Sequence, residues 1–186
     1  LTEKFKTEVT KALAKTDNDG YWLNYTRYFM DKKLRGGYPL KKLALFKTAS
    51  GEYEKIDEDR WSHLDMEVHE HPILQGKKGM IKSRIDHKDY KDLDNYIQKH
   101  REYAAWEAAR FIKSATTPGI QDQWTWKQKL KYRLMQNALI GPAYFIGNYF
   151  FLGGFIDGAK GLAFAIFKMA YFTQIAFRIK EGFPKK

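Results

Sequence analysis

Phe5, Val9, Ala12 and Leu13 fall on one face at helical spacing, and Thr2 stands where a cap accepts an orphan amide, so a first helix is predicted. Asp17-Asn18-Asp19-Gly20 stops it with turn chemistry. Tyr21 to Phe29 is aromatic-rich and partly alternating, the pattern of a strand. Arg35-Gly36-Gly37-Tyr38-Pro39 reads as a loop, and Leu43 to Phe46 as a short buried strand ended by Ser50-Gly51. Met66 to Leu74 and Gly79 to His87 predict two strands paired as a hairpin through Gln75-Gly76-Lys77-Lys78. Asp92 then caps a long helix to Ser114, with Leu93, Tyr96, Ile97, Tyr103, Ala104, Ala108 and Phe111 as its apolar stripe.

Thr116-Thr117-Pro118-Gly119 is the clearest boundary and predicts two regions, 1–115 and 116–186. Beyond it, Trp124, Trp126, Leu130, Leu134 and Met135 alternate with Lys127, Lys129, Lys131 and Arg133. Ala138 to Ile156 carries no charge, and Gly158 to Lys180 is apolar and aromatic, with single charges at Lys160, Lys168 and Arg178. The uncharged stretch approaches the roughly 17 to 20 residues that a membrane span needs. Pro142, Asn148 and Gly153-Gly154 argue against one unbroken helix there. Two or three helices lying in the membrane interface, bases at the head groups and rings at the acyl boundary, are the preferred expectation. A spanning hairpin and a soluble helical subdomain with an aromatic core are the alternatives.

Composition sharpens this. With 186 residues the chain is long enough for one ordinary domain with a core. A net charge of +11 attracts polyanions of any kind. Aromatic residues make up 16% and cluster with aliphatic ones in the C-terminal third, which favours an anionic membrane surface and argues against nucleic acid. The absence of Cys excludes disulfides and thiolate zinc sites. Leu1-Thr2-Glu3-Lys4-Phe5 has no apolar signal-peptide core and opens directly into the first helix, which suggests a preceding segment.

Candidate chemistry gathers at Met66-Glu67-Val68-His69-Glu70-His71 and Arg84-Ile85-Asp86-His87. Glu70 is a general-base candidate: a carboxylate beside an acceptor hydroxyl can take its proton as that oxygen attacks. His69 and Glu70 point to opposite faces of a strand, and His71 shares the face of His69. Zinc is disfavoured because spacing supplies no third unambiguous ligand. His87 suits one position on a divalent ion held mostly by oxygens, or else caps its strand beside Asp86 and Asp89. Gly36 and Gly37 permit close backbone approach to a ligand, though a glycine pair is also an ordinary turn.

In combination these segments resemble the bacterial family 2 glycosyltransferases, especially lipopolysaccharide-core and exopolysaccharide glucosyltransferase-like members. The resemblance rests on Arg35-Gly36-Gly37-Tyr38-Pro39, Leu43-Ala44-Leu45-Phe46, Met66-Glu67-Val68-His69-Glu70 and the strand ending at His87. Tyr103-Ala104-Ala105-Trp106-Glu107-Ala108 and Gly153-Gly154-Phe155-Ile156-Asp157-Gly158 add to it, so it spans nearly the whole chain. It implies an α/β architecture: the C-terminal half of a GT-A nucleotide-diphospho-sugar transferase fold, a short mixed sheet plus helices, followed by amphipathic membrane-associated helices. It also implies inverting transfer from a UDP-linked nucleotide-sugar donor to a lipid-linked or lipid-anchored glycan acceptor. The setting would be the cytoplasmic face of the bacterial inner membrane.

On this resemblance Glu70 matches the catalytic base, and Arg35, Gly36, Gly37 and His69 lie at the donor and acceptor. His87 matches a ligand of a divalent cation, Mg or Mn, shared with an Asp-x-Asp motif that this chain lacks. The family's uridine-binding units and that motif precede the segment resembling Leu1-Thr2-Glu3. Asp17-Asn18-Asp19 fits the text pattern, but no apolar strand leads into it, and it reads as a turn. The expectation is therefore a C-terminal half without its own donor-nucleotide pocket. The alternative is a non-catalytic membrane-surface module.

Overall fold

A computed structural model describes residues 1–15, 17–53, 72–117 and 126–182. It shows a mixed α/β arrangement: a small sheet backed by helices, with a long apolar helix at the C-terminal end. The strands are β1 (Gly20–Phe29), β2 (Lys32–Lys33), β3 (Leu40–Phe46), β4 (Gly51–Tyr53), β5 (Pro72–Leu74) and β6 (Lys78–His87). The helices are α1 (Glu3–Leu13), α2 (Leu93–Thr116), α3 (Trp126–Met135), α4 (Ile140–Ile146) and α5 (Gly158–Gly182).

β1 is the organising strand. It pairs antiparallel with β3 and parallel with β6, and its last residues turn back onto β2. Met30 (φ 49°) and Asp31 (φ 60°) form that two-residue turn, both left-handed, as a tight hairpin following the right-handed strand twist requires. Among the described residues, which include only Pro72–Leu74 of the first expected strand, the hairpin between the segments ending at Leu74 and His87 is not formed. β5 pairs with β4 in a separate two-stranded sheet, whereas β6 lies parallel to β1. β3 begins at Leu40 and buries only Leu43, so it is a half-exposed strand rather than a buried one.

One face of this sheet is covered by α1. Phe5, Val9 and Ala12 pack on Tyr21, Leu23 and Ile81, and the Tyr21 hydroxyl donates to the Ala12 carbonyl at 2.7 Å. The cap predicted at Thr2 is present, its hydroxyl accepting from the Phe5 amide. Glu8 meets a further need. The β1–β6 register jumps from Leu23↔Ile81 to Asn24↔Arg84, which leaves Lys82 and Ser83 out of the ladder. The Glu8 carboxylate accepts from both their amides, at 2.6 and 2.8 Å. The neighbouring Ser83 side chain, and then those amide bonds, hold its carboxyl below the usual range.

After Asp92, whose carboxylate caps at the Asn95 amide, α2 packs lengthwise against α5. Ala104, Ala108 and Phe111 of α2 meet Tyr132 and Met135 of α3 and Ile175 and Ile179 of α5 in the largest buried cluster. Phe29 of β1 joins the sheet to these helices, with edge contacts to Tyr90, Tyr96 and Phe164 at ring separations of 5.1 to 5.5 Å. The helices beyond the predicted boundary thus share cores with what precedes it.

The uncharged stretch is broken, as its Pro, Asn and Gly content leads one to expect. Pro142 falls in the first turn of α4, where its missing N–H has no helical partner to lose. A π turn follows at Gly147–Phe151, and Gly153, at φ 72°, ends it in the left-handed region. Among the described residues the segment long and apolar enough to cross a membrane, by length and composition, is instead Gly154–Gly182.

Candidate functional site

Two sequence motifs whose bonded residues stand 121 and 122 positions apart are locked together. The loop Arg35–Tyr38 lies against the turn Gly153–Asp157, and the lock is polar and buried. Asp157, 2% exposed, accepts from the Arg35 amide at 3.0 and 2.9 Å and from the Gly36 amide at 2.9 Å. Its own carbonyl accepts from Lys32 Nζ at 2.7 Å. Gly37 N–H donates to the Leu152 carbonyl at 2.8 Å, and the Tyr38 amide donates to the buried Asn148 Oδ1 at 3.0 Å. A Cβ on Gly36 would fall on the Gly153 carbonyl, so glycine is required for this backbone approach. The close contact that the glycine pair permits is therefore within the chain.

Beside this clasp lies a cavity of about 370 Å³ at the carboxyl ends of the parallel strands β1 and β6, walled by α2 and α5. Open α/β sheets commonly bind ligands outside the carboxyl ends of their strands. Five Lys or Arg side chains line this one (Arg27, Lys42, Lys91, Lys99 and Lys168) against two carboxylates, Asp89 and Glu107. Aromatic groups form much of the remaining wall, including Tyr96, Tyr103, Trp106 and Tyr171. A smaller hollow of about 70 Å³ adjoins it under Arg35–Leu40, and Arg27 and Leu40 line both.

Arg27 stacks over Phe164, 4.9 Å from the ring centre, and donates to the Tyr38 carbonyl at 3.1 Å, so the clasped loop helps to hold it. Lys168 Nζ lies 3.0 Å from His100 Nε2, while His100 Nδ1 lies 2.9 Å from the Tyr96 carbonyl. A carbonyl can only accept, so Nδ1 carries the ring proton and Nε2 offers a lone pair to the ammonium. Burial, then the neighbouring Lys168 charge, push His100 down to about 4. Burial, then Arg27, push Lys168 down to about 8. Burial raises Tyr96 and Tyr171 above the ordinary tyrosine range.

His87 ends β6 at the cavity wall, against the edge of Tyr25 and 3.4 Å from the Asp89 carboxylate, which Lys99 also approaches at 3.7 Å. Arg35, Gly36 and Gly37 line the smaller hollow. These residues are thus gathered into adjoining hollows with Arg27 common to both. Glu70 and His69 lie outside the described residues. Among the described residues no group of three or more His, Asp or Glu converges to hold a metal, and His87 with Asp89 supplies at most two donors. Asp19 sits in a bend and accepts from Ser50 and Lys47, which fits the turn reading of its motif.

Sequence reasoning missed Arg27, His100 and Lys168 as site residues. One signal was present: a lone lysine in the middle of an apolar helix is costly unless it faces a polar interior. No protein-family model matches this chain, and no curated protein or solved structure matches it either.

Proposed function

We propose that this chain belongs to a membrane-associated inverting glycosyltransferase, acting on a lipid-linked or lipid-anchored glycan in cell-envelope polysaccharide synthesis. The observation that carries this reading is the cationic, aromatic-walled cavity at the carboxyl ends of β1 and β6, which includes His87 and adjoins the Arg35–Gly37 loop. Cations suit a phosphate-bearing substrate, and flat rings suit a sugar face. In this scheme the acceptor hydroxyl oxygen attacks the anomeric carbon of a UDP-sugar. The bond from that carbon to the diphosphate oxygen breaks with its electron pair on the diphosphate, and the hydroxyl proton passes to Glu70. His69 would position the acceptor. The Mg or Mn ion implied by the resemblance would need carboxylates beyond His87 and Asp89.

The test is Glu70→Gln in the full gene product. Transfer is expected to fall at least about a hundredfold, the usual weight of a general base, while nucleotide-sugar binding stays within about twofold. Unchanged turnover would remove Glu70 from the chemistry.

The membrane setting rests on exposed apolar surface. Ile146, Phe150, Phe151, Leu152, Phe155 and Ile156 all stand exposed within one short stretch, Phe151 at 82%. On α3, Trp126, Leu130 and Leu134 form a second exposed stripe at helical spacing, beside exposed Lys129 and Arg133. Apolar stripes flanked by bases suit a helix lying in the head-group region of the cytoplasmic leaflet. Phe151→Ser is expected to weaken co-sedimentation with anionic vesicles about tenfold, the value of one inserted aromatic ring. Its urea midpoint should not move, because the ring is not part of the core. The same surface also fits a non-catalytic membrane-binding module, which predicts salt-sensitive vesicle binding with no nucleotide-sugar affinity.

A further inference from the structure

We infer that the cavity between α2, α5 and the ends of β1 and β6 is a built site for a phosphate or diphosphate group, taken by Lys168 and Arg27 with His100 as positioning residue. Among the described residues neither cation has a carboxylate within ion-pair distance. Asp89, an acid whose charge acts on both, is already shared between His87 and Lys99. Lys168 gives one proton to the neutral His100 Nε2 and keeps two for an incoming acceptor. Arg27 donates to a single carbonyl and keeps most of its guanidinium fork free.

Arg27 opposes the charge on Lys168 across one desolvated space, and two cations so placed are costly without a counter-ion. A dianion between them removes that cost, and a carboxylate at either position would have removed it within the chain. His100 fixes the geometry. Its Nδ1 proton is committed to the Tyr96 carbonyl, so the ring cannot turn away from Lys168. The volume, about 370 Å³, exceeds what a lone phosphate needs and lies in the usual range of small-molecule sites, about 300 to 1,000 Å³. The Tyr103, Trp106 and Tyr171 walls offer a face for the group that carries the phosphate. The anion class follows from the cavity alone; that its carrier is a sugar substrate rests on the transferase reading.

The experiment is calorimetric titration of the chain with inorganic pyrophosphate. Saturable 1:1 binding that weakens with salt is expected, at least tenfold weaker in Lys168→Met and restored to within a few-fold in Lys168→Arg. An NMR titration should move the His100 ring resonances on binding in the wild type and not in Lys168→Met, a readout that a merely structural lysine would leave unchanged. Binding absent from the wild type, or equal in a folded Lys168→Met, overturns the site whatever Glu70→Gln does. Binding lost in Lys168→Met while Glu70→Gln keeps full turnover upholds the site and sinks the transferase mechanism. Displacement of pyrophosphate by UDP assigns the phosphate to a nucleotide, and displacement by vesicles carrying a polyprenyl phosphate assigns it to a lipid; either upholds the site.

Discussion

Asp157→Ala is expected to lower the unfolding free energy by about 2 to 6 kcal/mol, read as a shift of the urea midpoint with little change in slope. The carboxylate is almost wholly enclosed and accepts from two main-chain amides, those of Arg35 and Gly36. Removing it strands both donors, at about 1 to 3 kcal/mol each. Asn at the same position keeps one acceptor oxygen but turns an NH2 group toward an N–H, so an intermediate loss is expected. Gly36→Ala attacks the clasp from the other side: its methyl meets the Gly153 carbonyl, rigid backbone that cannot swing away. Both changes should also weaken pyrophosphate binding, because the clasped Tyr38 carbonyl is the acceptor that holds Arg27 at the cavity. An unchanged midpoint in Asp157→Ala would show that water or another donor set replaces the carboxylate.

Local features were legible in the chain because their causes are local. Thr2 and Asp92 announce helix starts through side chains that reach amides three residues on, and both do so. Pro142 and the Gly153-Gly154 pair mark breaks in an otherwise uniform apolar stretch, and the structure has Pro142 in the first turn of α4 and Gly153 just past the π turn that follows it. Strand pairing is another matter. Nothing within Gly79–His87 distinguishes a hairpin partner next door from β1, some sixty positions earlier, and the choice is made by burying Ile81 with Leu23 and Phe5. The glycine loop and the Gly153–Asp157 turn were each recognisable as motifs, but not as partners. The cavity was least legible. Arg27, His100 and Lys168 sit on β1, α2 and α5, and only the isolation of Lys168 among apolar neighbours hinted that its side of α5 faces something polar.

Acidification from pH 7 to pH 4 is expected to cost about 3 kcal/mol of stability through His100 alone, as about 1.4 kcal/mol for each pH unit between its two pKa values. The ring protonates near 6.5 in the unfolded chain and near 4 in the folded one. Between those values the unfolded state binds more protons, so falling pH favours unfolding. The stability is complete above about 6.5, declines through the window and levels below about 4. The groups acting on the ring come from three directions. Lys168 of α5 and Lys99 of α2 oppose its charging, while the Tyr96 carbonyl and Asp89 favour it less strongly. Tyr171 of α5 meets the ring edge-on. Glu8 also loses stability in acid, because its folded carboxyl is depressed, so the His100 share must be taken as a difference. His100→Gln, which can still accept from Lys168 but cannot titrate, should flatten the profile between pH 6.5 and pH 4. Lys168→Met should narrow the window, since the neighbouring ammonium is the largest charge holding the ring neutral. At the alkaline end the sign runs the same way for the lysine. Its folded value near 8 lies below the ordinary 10.5, so the unfolded chain binds more protons between the two, and stability rises with pH across that interval. Urea midpoints of wild type and His100→Gln that run parallel from pH 7 to pH 4 would show that the ring already shares solvent with the unfolded state.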